Sequence, residues 1–392
     1  MLERARQLIQ PSARSNVPPF MVMDVVAAAA RLEAQGCRII HMEVGQPAAG
    51  APASAIAAAR AGLSKSALGY TETLGLPSLR RRIARAYGEW HGLEIDPERV
   101  VVTTGSSAGF MLAFLAAFEA GNRVATALPG YPPYRHILRA LGCEPIGIAT
   151  TAATRWAITG ETLLNTHRAR SLRGVIVASP ANPSGTMMTS SVLENVIRSA
   201  EDAGITVISD EIYHGLDYAF RADSAARFSP HAIIVNSFSK YFCMTGWRIG
   251  WMIVPPSLLR AVERLQQNLA ISVPTLAQIA AVAAFDGRPE LEDVRRGYEE
   301  NRRFLLEGLP QAGLDSFLPA DGAFYLYSDV SRFSVDSFAF AKRMLEEASV
   351  AATPGVDFDP ERGQNFLRLC YAGSREDMRE AVERIGDWLR RI

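Results

Sequence analysis

Short apolar runs rich in β-branched residues recur through the middle of the chain, at 100–104, 123–127, 145–149, 174–178, 205–209, 232–236 and 249–254. Stretches with apolar residues at helical spacing separate most of them, among them 110–118 and 191–203. Runs this short and this continuously apolar predict strands buried on both faces. Their alternation with helices predicts an α/β fold with a largely parallel, doubly wound sheet. The last run follows its predecessor too closely to leave room for a crossover helix, so it is expected to run antiparallel.

The pattern changes at both ends. Residues 1–20 are polar and then broken by Pro18-Pro19, which predicts an arm. A helix is predicted over 23–35, stopped by Gly36, then a strand over 39–44 ending in Gly45-Gln46-Pro47, and a second helix over 52–64. A loop over 69–77 leads to a helix over 79–90. Beyond Pro255-Pro256, helical patterns run over 257–285, broken near Pro274, and over 289–309. Strands at 323–327 and 366–369 then mix with helices at 337–348 and 376–391 in an α+β unit. The expected organisation is an N-terminal arm and part of a small domain over 1–46, a large domain over 47–287 and a C-terminal small domain over 288–392.

Composition narrows the function classes. The chain has 392 residues, and its 41 basic and 41 acidic residues balance, so nothing draws it electrostatically to nucleic acid or to an anionic membrane. No apolar stretch approaches the length of a membrane span. Met1-Leu2-Glu3-Arg4-Ala5-Arg6 has no apolar segment after it and does not read as a secretory signal. Cys37, Cys143, Cys243 and Cys370 have neither disulfide nor metal spacing, and the six histidines form no ligand pair. The expectation is a cytoplasmic protein without a metal.

Lysine is scarce: Lys65, Lys240 and Lys342 are the only three. Lys65 lies in a polar Ser64-Lys65-Ser66 turn, and Lys342 precedes Glu346 by one helical turn, so both read as solvent-facing. Lys240 ends a buried strand pattern in Ser237-Phe238-Ser239-Lys240, where a desolvated amine can attack a carbonyl.

Other strand ends carry matching chemistry, and in such sheets ligands bind outside the carboxyl ends of the strands. Gly105-Ser106-Ser107-Ala108 opens a helix with exposed N–H groups and hydroxyls, which suits a phosphate. It is neither a dinucleotide fingerprint nor a P-loop. Pro129-Gly130-Tyr131-Pro132-Pro133-Tyr134 reads as a proline-stiffened loop presenting an aromatic to a planar ring. In Ser179-Pro180-Ala181-Asn182-Pro183, two X–Pro bonds, candidates for the cis form, fix an asparagine. Asp210-Glu211-Ile212-Tyr213 places an acid that needs a cationic partner, for which a protonated heterocyclic nitrogen qualifies, beside a phenol. Arg368, inside the apolar pattern of Phe366-Leu367-Arg368-Leu369, needs a carboxylate from the protein or from a ligand. Phosphate cradle, stacking aromatic, acid, phenol, nucleophilic lysine and carboxylate arginine together describe a pyridoxal phosphate site acting on an α-amino acid.

With Ser237-Phe238-Ser239-Lys240, Met244-Thr245-Gly246-Trp247-Arg248-Ile249-Gly250, Asn182-Pro183-Ser184-Gly185-Thr186 and Asp210-Glu211-Ile212-Tyr213 on the page, the chain resembles the class I/II pyridoxal-phosphate-dependent aminotransferases of fold type I. Within them it is most similar to the aspartate aminotransferase-like Iγ group, from Gly45-Gln46-Pro47 to Arg368. The resemblance implies a mostly parallel seven-stranded sheet in the large domain and a ping-pong transfer of an amino group to a 2-oxo acid. It implies that Lys240 forms the internal aldimine and shuttles the proton, Asp210 holds the ring nitrogen protonated, Tyr213 and Asn182 bond the ring oxygen, and Tyr131 stacks on the ring. Ser106, Ser107, Ala108, Ser237, Ser239 and Arg248 would surround the phosphate. Arg368 would seat the α-carboxylate with Asn182 and the Gly45 backbone. Tyr70 would reach the phosphate of the neighbouring subunit of a homodimer.

Aspartate-preferring members of the Iγ group tend to carry a basic residue in the loop matching Gly105–Ala108; this chain has none there. The expected donor is therefore neutral, aromatic or aliphatic, with 2-oxoglutarate or pyruvate as acceptor. Two rival readings are a C–S β-lyase on the same lysine and a non-catalytic aminotransferase-like sensor. The sensor reading suffers because only about twenty residues precede the first predicted helix, with no basic surplus.

Overall fold

A computed structural model describes residues 10–65 and 67–392. The hexapeptide Met1–Arg6, the start of the expected arm and Ser66 therefore lie outside the described residues. From residue 10 to 20 the chain carries only a short turn at Ala13–Ser15, then enters the helix Met21–Glu33.

Twelve strands follow in chain order among the described residues: β1 (Ile40–His41), β2 (Val100–Thr103), β3 (Arg123–Leu128), β4 (Glu144–Ala149), β5 (Gly174–Ala178), β6 (Thr206–Asp210), β7 (Ile233–Ser237), β8 (Gly250–Ile253), β9 (Tyr325–Asp329), β10 (Val350–Ala351), β11 (Thr353–Pro354) and β12 (Phe366–Cys370). Seven form one sheet in the order β2-β8-β7-β6-β5-β3-β4. Its strands run parallel except β8, which pairs antiparallel with both β2 and β7. The short β7–β8 connection thus reverses the chain as its length predicts. Val175, Ile176 and Val177 of β5 are all buried, as are Ile233, Ile234 and Val235 of β7, because helices cover both faces and leave no polar side to the strands. A second, antiparallel sheet has the order β11-β12-β9, and β1 pairs in parallel with β10.

Most predicted elements appear within two or three residues, and four differ for physical reasons. The expected strand over 39–44 pairs only at Ile40–His41. Past it, the Met42 carbonyl accepts from the Cys370 N–H at 2.7 Å and the Glu43 carbonyl accepts from side chains, so the ladder cannot continue. The loop reading of 129–134 is too long, because a helix begins at Pro132 and runs Pro132–Ala140; proline at the first helical position loses no intrahelical bond. The strand expected at 323–327 starts at Tyr325, because Ala323 has a left-handed φ of 55°. Lys65 is the last residue of the helix Ala53–Lys65 rather than part of a turn. Lys342 is exposed and pairs with Glu346 at 3.9 Å, as its spacing predicts.

Candidate active site

The carboxyl ends of β2, β5, β6 and β7 open into one cleft of about 450 Å³, closed on its other side by residues of the N-terminal segment, β9 and β12. At the end of β2, Gly105 begins the helix Gly105–Ala117 with φ 75°. A Cβ there would stand 2.6 Å from a guanidinium nitrogen of Arg248, so only glycine lets the arginine lie over the helix start. Ser106 and Ser107 line the cleft. Ala108 follows in the same turn but does not line it.

Past β7 the chain folds tightly on itself. Ser237 Oγ donates to the Ile249 carbonyl at 3.0 Å and lies 2.8 Å from Ser239 Oγ. Thr245 Oγ1 donates to the Ser239 carbonyl at 2.9 Å, and Arg248 Nη1 to the Thr245 carbonyl at 3.0 Å. Ser239 and Arg248 face the cleft, while Ser237 braces Ser239 from behind. Arg248 is exposed and backed by helix N–H groups, an arrangement suited to a dianion.

On β6, Asp210 is buried. One carboxylate oxygen accepts from the Ile212 N–H at 3.0 Å and the other from the Tyr134 hydroxyl. Burial raises this carboxyl to about 6, against the lowering effect of those two bonds and of the Lys240 amine. Tyr134 is a site residue that sequence reasoning passed over. Its spacing from Tyr131 was the available signal, because residues three apart at a helix start share a face. The two rings meet edge to face with centroids 5.2 Å apart. Tyr213 is buried and its hydroxyl lies 2.6 Å from that of Tyr325, a residue of β9 that was also missed.

Lys240 Nζ donates to the Gly45 carbonyl at 2.5 Å. Desolvation lowers this amine to about 8; Arg368 and Arg248 push the same way, and Cys370 and Asp210 oppose them. Arg368 is only 2% exposed and has no carboxylate partner among the described residues. Its guanidinium donates to Asn182 Oδ1 at 2.9 Å, to Thr353 Oγ1 at 3.1 Å and to the Glu43 carbonyl, and its buried Nε has no partner. A buried, under-satisfied arginine facing a cleft is a seat for a carboxylate.

The structure thus brings Gly45, Ser106, Ser107, Tyr131, Asn182, Asp210, Tyr213, Ser239, Lys240, Arg248 and Arg368 around one space. Three predicted residues do not line it: Ala108, Ser237 and Tyr70, the last of them 83% exposed. Phe20, Val22 and Met23, from the start of the N-terminal helix, supply an apolar wall that the sequence reading did not place. The N–H groups of Met21 and Val22 lie 3.4 Å from the buried Asp357 carboxylate, which seats that helix beside the cleft. Among the described residues, no group of three or more His, Cys, Asp or Glu side chains could hold a metal ion, and no helix is long and apolar enough to cross a membrane.

This sheet order, with a lysine, an acid and an arginine converging on one cleft, is the arrangement expected of an aminotransferase-type fold. The chain belongs to the family Aminotransferase class I and II, which it matches over residues 38–385. It is 48% identical over 380 residues to the valine–pyruvate aminotransferase of Mycobacterium tuberculosis, covering 96% of this chain and 97% of that one. It is 32% identical over 388 residues to the aspartate/prephenate aminotransferase of Thermus thermophilus, covering 98% and 97%. A crystal structure of an aminotransferase from Mycobacterium tuberculosis superposes with a TM-score of 0.95 at 47% identity, covering 98% of this chain and all of that one.

Proposed function

We propose that this aminotransferase binds pyridoxal 5′-phosphate and moves the amino group of a neutral, aliphatic L-α-amino acid to a 2-oxo acid such as pyruvate or 2-oxoglutarate. One observation carries the reading: Lys240, Asp210, Tyr213 and Arg368 share a cleft whose lysine and arginine side chains are Lys240, Arg248 and Arg368. Each of the three has a task, so among the described residues the cleft offers no further cation for a distal carboxylate, and Phe20, Val22 and Met23 favour an apolar side chain. The valine–pyruvate relative accords with this.

The residues present fit the cofactor. The helix start at Gly105, with Ser106, Ser107, Ala108, Ser237, Ser239 and Arg248, is suited to its phosphate, and Tyr131 to its ring face. The buried carboxyl of Asp210 is suited to the ring nitrogen, and Tyr213 and Asn182 to the ring oxygen. When bound, the cofactor supplies an electron sink that makes the Cα proton of the amino acid removable.

The chain's own residues do the rest. Arg368 seats the α-carboxylate through Nε and Nη, beside Asn182 and the Gly45 backbone, and so orients the Cα–H bond toward Lys240. Lys240 Nζ, a substantial fraction of it neutral near pH 8, would take that proton and return it two bonds away, as a 1,3-shift requires. Donor and acceptor both need the single Arg368 seat, so they occupy it in turn, which is ping-pong kinetics. In this reading residues 1–46 and 288–392 form a smaller unit over the large one, and Tyr70, exposed on its own chain, reaches the cleft of a second copy in a homodimer.

Absorbance spectroscopy with added pyridoxal phosphate and a panel of amino acids tests the reading. A visible band lost in Lys240→Ala, bleached by valine-like donors and restored by pyruvate, is the expected result. Ammonia and an oxo acid formed without any acceptor would point to a lyase, and absence of a band would overturn the proposal.

A further inference from the structure

The Tyr325 side chain is one of the most buried in the molecule, at 1% exposure, and touches three parts of the site at once. Its hydroxyl lies 2.6 Å from the Tyr213 hydroxyl. Its ring lies under the Arg368 guanidinium, 4.5 Å from centroid to Cζ, with Phe358 on the same cation at 4.8 Å. Its hydroxyl end also occupies the space that a side chain on residue 45 would need, and it is the carbonyl of Gly45 that holds Lys240. The register explains the second contact: Tyr325 opposes Cys370 and Tyr327 opposes Arg368 in the antiparallel β9–β12 pair. Tyr325 and Arg368 are therefore diagonal neighbours on one face, within reach of long side chains.

A phenol has one proton to give and two lone pairs to accept with. If Tyr213 gives its proton to an oxygen bound in the cleft, its bond to Tyr325 requires Tyr325 to be the donor. Hydroxyls linked in this way polarise one another, and the terminal donor becomes stronger. We propose, on the basis of the pyridoxal phosphate reading, that Tyr325 is a positioning residue. It donates to Tyr213 so that the Tyr213 proton is aimed into the cleft, and its ring fixes the plane of Arg368 for carboxylate binding. One side chain thereby ties the ring-oxygen end of the site to the carboxylate end.

Two substitutions separate the roles. Tyr325→Phe keeps the ring and removes only the donor, whereas Tyr325→Leu removes both. A weakened Tyr213 donor leaves the bound ring oxygen more basic, so the proton it shares with the neighbouring nitrogen is held more tightly. The pH midpoint of the loaded enzyme's visible band is therefore expected to rise in Tyr325→Phe by roughly 0.5 or more, while KM for amino and oxo acid stays within about twofold. Tyr325→Leu is expected to show the same spectral change and, in addition, to raise both KM values roughly tenfold through the loosened arginine. Tyr213→Phe, which deletes the terminal donor, should shift the midpoint further than Tyr325→Phe. A Tyr325→Phe enzyme that titrates at the wild-type pH overturns the proposal, even if its thermal stability falls. A wild-type protein that gives no visible band with pyridoxal phosphate overturns the underlying reading and this inference with it.

Discussion

The two walls of the cleft are built on different principles. One consists of side chains at the ends of adjacent parallel strands: Asn182 after β5, Asp210 on β6 and Lys240 after β7. The other gathers the Glu43 and Gly45 carbonyls, Tyr325 on β9 and Arg368 on β12, which are far apart in sequence. The first wall holds the groups whose protonation matters, with Asp210 raised to about 6 and Lys240 lowered to about 8. The second consists mainly of fixed dipoles and a permanent cation. In the proposed reading the proton-transferring lysine thus stands at the end of the rigid sheet, and the arginine that grips substrate stands on a segment packed over it.

Removing chemistry from the first wall should have the largest effect. Lys240→Ala is expected to lower kcat roughly 10⁴-fold in a transamination assay, since both nucleophile and proton carrier are lost. Capture of pyridoxal phosphate by the cofactor-free wild type should speed up as pH rises through about 8, where the amine loses its proton, and then level off. The variant should show no such dependence. If it retained both activity and the pH-dependent capture, the division between the walls would fail.

On the second wall, Arg368→Lys keeps the charge but loses the planar fork, and breaking a buried charge–carboxylate contact costs about 2–5 kcal/mol. The expected loss in kcat/KM is roughly 10²–10³-fold, mostly in KM, and equal for donor and acceptor because both use one seat. Loss for the donor alone would require a second carboxylate site.

Asp210 shows what the first wall costs in stability. Its carboxyl is raised to about 6 in the folded protein, against about 4 in an unfolded chain. Its contribution to stability is therefore fully present below about pH 4 and is lost as pH rises through about 6. In the cofactor-free protein, Asp210→Asn should add on the order of 2–3 kcal/mol at pH 8 and almost nothing at pH 4, measured by denaturant unfolding, while activity falls. Equal unfolding midpoints for wild type and variant at pH 8 would show that the carboxylate is not strained.

The walls also differ in how far the sequence reveals them. Asp210, Asn182 and Lys240 each follow an apolar run whose end is marked by proline or small residues, so order along the chain maps onto order across the sheet. Arg368 was visible as a charge inside an apolar pattern, and the resemblance set Asn182 beside it, but its Glu43 and Thr353 partners were not visible. A carbonyl has no residue type, so the role of Glu43 cannot be read from its name, and the pattern around it reads as a strand that the structure ends at His41. Tyr325 sits in a run that reads as ordinary strand, and only the β9–β12 register brings it to Arg368. Tyr134 was hidden for a different reason: three prolines within 129–133 made a helix start look like a loop.

The smallest expected effect probes the seam between the walls. A methyl on residue 45 would overlap the Tyr325 hydroxyl and crowd its ring, so Gly45→Ala should destabilise the protein by about 1–3 kcal/mol, as overpacking does elsewhere. The backbone must also shift, and with it the carbonyl that holds Lys240, so the amine's pH dependence should change together with stability. Tyr325→Phe removes the first atom in the way but leaves the ring carbon 2.7 Å from the new methyl carbon, so the double variant should recover only part of the loss. A coupling of roughly 0.5 kcal/mol or more in that double-mutant cycle is expected for groups in direct contact. Strict additivity would mean that the glycine serves the Lys240 wall alone and that the two walls meet somewhere else.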